Sequence, residues 1–351
     1  MRTVNVVKAG GSVLRSSDDY LKLAEVALRL GARVVVVSAM KGVTDALLEA
    51  ARLRDVKRFG EVAARLREAA SDLGARGEAE EWIRRGERAF RSYAASPAPQ
   101  LLDEVLALGE RVSMVLMRRA LEALGTRAVA LDGGEAGIVT DDAFTGARPI
   151  ISECVDRLRA RIRPLLERGY IVVVAGFTGA TRDGRTTTMG RGSSDLTAAL
   201  VARALEAERL YLVTNSPYIM SADPSLVPTA RPLSEVGILE ADAMARLGVK
   251  KFHPLTFKPL LDAKCVIVVG SSPPRGTLVK PELPPPDLKV VTPIRGYLAF
   301  VGHGSRKLAP VIAEELSLPL AEVGRLYFKL KLPRREAELV EKAHEVMLKY
   351  W

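Results

Sequence analysis

The chain has 351 residues, of which 48% are hydrophobic and 27% charged, and a formal net charge of +10. This balance excludes an intrinsically disordered chain, and no apolar run approaches the roughly 18–20 residues of a membrane span. The basic residues are interleaved with acidic ones, as in Arg65-Leu66-Arg67-Glu68-Ala69, so a nucleic-acid partner is not expected. The surplus charge reads as a solvated, salt-bridged surface, with some local basicity available to a polyphosphate.

Apolar runs and helical periods alternate along the chain. Strands are predicted at 4–7, 33–37, 128–131, 170–175, 210–213 and 265–269, rich in Val and Ile and nearly unbroken, as for strands buried on both faces. Helices are predicted over 18–30, 42–54, 100–123, 152–167, 194–207 and 239–247. The alternation implies an α/β fold: a three-layer α/β/α sandwich around a mainly parallel sheet. Residues 55–98 are polar and helical, with apolar positions at Phe59, Val62, Leu66, Trp82, Ile83 and Phe90, and read as a helical insertion or as extra core helices. Ser271–Gly276 and Pro281–Pro286 are rich in turn formers and read as a linker. Beyond them, strands at 297–301 and 326–332 and helices at 307–316 and 334–350 suggest a small α/β module. The expected division is therefore a catalytic domain over 1–275 and a module over 288–351.

No signal peptide is expected, because Met1–Val7 leads straight into a strand. Two distant cysteines, Cys154 and Cys265, argue against a disulfide framework or zinc site and fit a reducing cytoplasm. With only two Asn and one Gln among many Arg and Glu, the composition hints at a thermophilic source.

Four segments could carry chemistry. Val7-Lys8-Ala9-Gly10-Gly11-Ser12 runs from a strand into a lysine, two glycines and a hydroxyl. Glycine lets phosphate oxygens approach backbone N–H groups, and Lys8 would bring positive charge. The Walker spacing is absent, and a glycine turn after a strand is also an ordinary structural device. Val37–Asp45 places Ser38 and Thr44 at a strand's carboxyl end, where open α/β sheets bind ligands, though Thr44 could simply cap a helix. Gly176-Phe177-Thr178-Gly179 and Gly184–Asp195 form a glycine- and threonine-rich loop before a helix. There Arg191 could fork onto a carboxylate, and Asp195 could accept from an ammonium or cap the helix. Gly248–Pro254 carries Lys250 and Lys251, either phosphate contacts or solvated lysines. Glu110, in Leu108-Gly109-Glu110-Arg111, lies in a helical segment where a lone glutamate is normally a surface residue.

Taken in order, these segments resemble the aspartate kinases over roughly residues 2–278. The most specific pieces are ValSerAlaMetLysGlyValThrAsp (37–45), GlyArgThrThrThrMetGlyArgGlySerSerAsp (184–195), AlaAspPro (222–224) and LysLysPheHisPro (250–254). The resemblance implies the amino-acid kinase fold, ATP and Mg²⁺ as cofactors, an amino-acid substrate and a homodimer. It implies that Lys8, Gly10, Gly11 and Asp195 are catalytic, with Asp195 and Glu110 holding the substrate ammonium. It places Ser38, Thr44, Phe177, Arg191 and Ser194 with Glu110 in the substrate pocket. Ser12, Thr214, Asn215, Met220 and Lys250 would meet the nucleotide.

Two departures stand out. Where the family usually reads Thr-Asp-x-Asp-Gly-x-Tyr, this chain has Thr214-Asn215-Ser216-Pro217-Tyr218-Ile219-Met220. Both acidic positions and the glycine are gone, and Pro217 fixes φ where a glycine turn is usual. The family commonly ends in two ACT modules, whereas 288–351 has room for one, so feedback inhibition by lysine or threonine is expected to be absent or altered. The expected reaction is phosphorylation of the β-carboxylate of aspartate. The alternatives are a kinase of a related amino acid such as homoserine, and a catalytically weak amino-acid-binding regulator.

Overall fold

The computed structural model describes residues 3–249, 252–282, 287–332 and 336–351. Its chain divides into two compact units, Met1–Asn215 and Ser216–Trp351.

In the first unit the elements in chain order are β1 (Asn5–Ala9), α1 (Ser17–Arg29), β2 (Ala32–Val37), α2 (Val43–Leu53), α3 (Val56–Asp72), α4 (Arg76–Ala95), α5 (Pro99–Leu106), α6 (Leu108–Ala123), β3 (Ala128–Leu131), α7 (Gly133–Ala136), α8 (Ile151–Glu167), β4 (Ile171–Ala175), β5 (Thr178–Ala180), β6 (Thr186–Thr188), α9 (Ser193–Leu205) and β7 (Arg209–Val213). The strand order is β3-β4-β2-β1-β7, and every neighbouring pair is parallel. One pair of helices, α1 and α6, packs together on the sheet, and so does a second pair, α8 and α9. This explains why β2 and β4 are apolar at almost every position: side chains pointing either way meet a helix layer, and Val34–Val37 and Val172–Ala175 are all fully buried.

The insertion is the helical hairpin α3–α4. Phe59, Val62, Leu66, Ile83 and Phe90 are buried as their spacing predicts, and the Phe59 and Phe90 rings stack at 4.5 Å. Across the hairpin, the Arg67 guanidinium donates to both Glu80 and Glu87. The single helix predicted over 100–123 is two helices meeting at Ala107, which sits at φ −64° and ψ −17°. Alanine is a strong helix former, so nothing in the side chain marks that junction. Cys154 is buried on α8; its thiol donates to the Val139 carbonyl and accepts from the Val139 N–H, both at 3.2 Å.

The second unit contains β8 (Glu235–Gly237), α10 (Ile238–Arg246), β9 (Val266–Ser272), β10 (Arg275–Lys280), β11 (Val290–Ile294), β12 (Tyr297–Val301), α11 (Ser305–Leu316), β13 (Leu320–Val323), β14 (Tyr327–Lys331) and α12 (Glu336–Leu348). Ser271–Gly276, read from its prolines as a linker, is instead the turn region of the antiparallel β9–β10 hairpin. A four-stranded antiparallel sheet, ordered β11-β12-β14-β13, carries α11 and α12. Its core includes Phe300 stacked on Phe328 at 4.6 Å, with Ile312, Val340 and Met347 fully buried. Ala222 and Val227 belong to the same core. The Val291 N–H donates to the Ser221 carbonyl, and the Ser221 hydroxyl lies 2.7 Å from His344 Nε2 on α12.

Candidate active site

Parallel register brings the predicted segments of the first unit to one edge. Ala9 of β1 lies level with Val37 of β2 and Val213 of β7, and Val37 lies level with Ala175 of β4. The residues that follow these strand ends are therefore neighbours: the Gly10 N–H donates to the Val213 carbonyl at 3.1 Å, that of Ser38 to Ala9 at 3.1 Å, and that of Gly176 to Val37 at 2.8 Å. This is the carboxyl edge of the sheet, where open α/β folds place ligands.

Lys8 reaches this edge from β1, which lies between β2 and β7. Its Nζ lies 2.7 Å from Oδ1 of Asp195, and both side chains are largely buried. Asp195 therefore does not cap its helix: Gly192 holds the N-cap position of α9 with φ +80°, and Asp195 lies in the first turn with its carboxylate on Lys8. Thr44 likewise does not cap α2, whose N-cap is Gly42 at φ +83°; it is half-buried within the first turn.

The glycines here are small because backbone passes close. A Cβ on Gly10 would lie 3.3 Å from Lys8 Nζ and 3.3 Å from the Val213 carbonyl oxygen; one on Gly11 would lie 2.7 Å from the Ala39 carbonyl oxygen. Ser12 continues the single turn Gly11–Val13, with its Oγ 3.7 Å from that same Gly10 position. Ser194 is buried against Gly176, and Phe177 is buried with φ +65°, a left-handed conformation that costs about 1 kcal/mol or more for a side chain of this size. Arg191 is 72% exposed at its side chain and pairs with Asp45 of α2.

Glu110 is a departure from the surface position usual for a helical glutamate. It is 3% exposed, and its Oε2 has no hydrogen-bond partner among the described residues. Burial pushes its carboxyl up to about 8, against the opposing pull of the Ala39 and Glu110 backbone N–H groups and of Lys8.

The nucleotide set divides between the units. Ser12, Thr214 and Asn215 belong to the first; Thr214 is half-buried, Asn215 is exposed, and their side chains lie 3.4 Å apart. Met220 belongs to the second, half-buried and bridged to Pro232. Lys250 lies outside the described residues.

Two buried devices near this edge are absent from the sequence reading. Arg111, 2% exposed, donates to Asp132 at 2.9–3.0 Å, to Glu104 at 2.6 Å and to Thr186 at 2.8 Å, and lies 4.9 Å over the Trp82 ring. Asp132 in turn accepts from the Thr178 hydroxyl and the Gly133 N–H. Burial pushes the Asp132 and Glu104 carboxyls up, but the Arg111 guanidinium and the surrounding donors outweigh it and hold both below the usual range. Asp103, fully buried, accepts from the Thr145 N–H and from both the N–H and hydroxyl of Thr188. The strand-end Asp132-Gly133-Gly134 was a visible signal; Asp103 had none. A Cβ on Gly133 would lie 2.1 Å from the Thr178 carbonyl oxygen. Gly133→Ala should therefore cost at least about 1–3 kcal/mol in a denaturant titration, and an unchanged midpoint would show that this approach relaxes freely.

The amino acid kinase family model matches residues 3–271. The chain is 34% identical over 302 residues to lysine-sensitive aspartokinase 3 of Escherichia coli (strain K12), covering 81% of this chain and 66% of that protein. It is 31% identical over 329 residues to an aspartokinase of Helicobacter pylori (strain ATCC 700392 / 26695), covering 90% and 70%. The crystal structure of E. coli aspartokinase III in complex with aspartate and ADP (R-state) superposes with a TM-score of 0.78 at 28% identity, covering 95% of this chain and 79% of that one. The chain belongs to the amino acid kinase family and, within it, to the aspartokinases. It spans only 66% of the E. coli relative, and its match to an aspartokinase of Geobacillus stearothermophilus spans 45% of that protein.

Proposed function

We propose that this protein transfers the γ-phosphoryl group of ATP to the β-carboxylate of L-aspartate. The observation that carries the reading is a buried glutamate, Glu110, with an unpartnered oxygen, near a buried lysine–carboxylate pair at the sheet's carboxyl edge. Buried polar atoms are normally partnered, and an exception calls for a ligand or a function. An α-ammonium group supplies the donors Glu110 lacks. The aspartate and ADP held by the E. coli relative support the same substrates here.

In this reading Glu110 and Asp195 hold the ammonium, Arg191 leaves Asp45 for the α-carboxylate, and Ser38, Thr44, Phe177 and Ser194 shape the pocket. Lys8, with the Gly10 and Gly11 backbone, meets the transferring phosphoryl. Ser12, Thr214, Asn215, Met220 and Lys250 are assigned to the nucleotide. A carboxylate is already nucleophilic, so catalysis reduces to alignment and charge neutralisation. Mg²⁺ would neutralise phosphate charge; it is held mainly by substrate phosphates and water and needs few protein ligands.

The same reading takes 1–275 as the catalytic domain, 288–351 as an ACT-like module, and the chain as a cytoplasmic homodimer of thermophilic origin. The described helices include none long and apolar enough to cross a membrane. ADP release with ATP and Mg²⁺ should be stimulated by aspartate and not by homoserine. Stimulation by homoserine alone would reassign the acceptor, and none by either would favour a binding role.

A further inference from the structure

We propose that Glu110 is a proton-exchanging receptor: its carboxyl is neutral while the site is empty and releases its proton when an α-ammonium group docks against it. The proposal rests on the aminodicarboxylate reading above and extends it to how the site tells an amino acid from a plain dicarboxylate.

The geometry leaves an ionised Glu110 without a counterion. The side chain is 3% exposed and Oε2 is unpartnered among the described residues. Each charged or titratable neighbour is either committed elsewhere or of the wrong sign. Lys8, on β1, is paired with Asp195 of α9 at 2.7 Å. Arg111, the next residue on α6, points its guanidinium at Asp132 and Glu104. Asp132, at the end of β3, is itself anionic and disfavours a second charge. Tyr20, on α1, shares a 2.6 Å hydrogen bond with Ser113, and its burial keeps the phenol neutral. From the β2–α2 connection only the Ala39 N–H assists. A buried carboxylate in such company takes up a proton instead. The upward push to about 8 agrees with this geometry.

Docking balances as Glu–COOH plus R–NH₃⁺ giving the Glu–COO⁻···⁺H₃N–R pair and one H⁺ to solvent. No redox partner is needed. Aspartate carries the ammonium; succinate matches it except for that group and leaves Glu110 protonated.

The test is titration calorimetry of the full chain near neutral pH in buffers of differing ionisation enthalpy. L-Aspartate should release about one proton per site, succinate about none, and the release for aspartate should fade as the pH is raised above about 8. Glu110→Gln should bind aspartate more weakly and release no proton. Because that variant could fold poorly, infrared difference spectra of the unaltered protein give a second readout: the carbonyl band of a protonated carboxyl should disappear as aspartate is added. Aspartate binding without proton release, release that persists in the glutamine variant, or an unchanged carbonyl band would each overturn the proposal. Homoserine, which also carries an ammonium, separates the two layers. Proton-releasing binding of homoserine without aspartate binding would remove the assigned acceptor and keep the exchange. Binding of neither would remove both.

Discussion

Lys8→Ala should lower kcat for aspartate-dependent ADP release by about two to three orders of magnitude, the usual cost of removing one group aimed at developing charge. Lys8 sits in an interior strand, level with Val36 of β2 on one side and Leu212 of β7 on the other, so its backbone has little freedom to compensate. Its Nζ passes 3.3 Å from where a Cβ on Gly10 would stand. A planar guanidinium cannot reproduce the point contact of this largely buried ammonium with Asp195, and Lys8→Arg should rescue poorly. The expected signature is a fall in kcat larger than any change in KM for aspartate, in a variant whose circular dichroism matches the parent. Activity within tenfold of the parent would remove Lys8 from the transfer step.

Arg111→Ala should destabilise the protein by about 3–5 kcal/mol, the range for removing one partner of a buried ion pair. The side chain is 2% exposed and bonds two carboxylates and a threonine hydroxyl. Its loss strands Asp132, which also holds Thr178 and the Gly133 N–H. Urea titration measures the loss, and Trp82, 4.9 Å from the guanidinium, offers a local fluorescence signal. The pH dependence carries a sign. Asp132 and Glu104 titrate below the ordinary carboxylate range. Their contribution is present above that range and is lost as pH falls through their lowered values. Acid should therefore erode the parent more steeply than the alanine variant. A loss under about 1 kcal/mol, or parallel acid limbs, would show that the network is nearly neutral, as some buried ion pairs are.

What could be read in the sequence follows from how far each signal reaches along the chain. The strands β1, β2, β4 and β7 are short apolar runs buried on both faces, a local property visible residue by residue. The α5–α6 junction, by contrast, has no local marker at Ala107. The β9–β10 hairpin was hidden because Pro273, Pro274 and Gly276 suit a linker and a hairpin turn equally well. At the site, Lys8, Ser38 and Asp195 stood out in glycine- and hydroxyl-rich segments at strand ends, whereas Glu110 was named only through a family resemblance. The burial of Glu110 and the Lys8–Asp195 pair are products of register between strands distant in sequence. Arg111 and Asp132 are twenty-one residues apart on different elements, and no periodicity links them. Asp45 was in plain view, yet its pairing with Arg191 spans 146 residues.

The thiol of Cys154 lends itself to a different use. It is buried on α8, hydrogen-bonded at both its donor and acceptor sides to Val139, and burial pushes it up to about 11. Since the thiolate is the reactive form, this sulfur is protected from oxidants and alkylating reagents while α8 stays seated. Its labelling rate by an aromatic disulfide reagent should then measure how often that helix opens. The protein thus carries its own chemical clock for local unfolding, next to the turn that leads into α8.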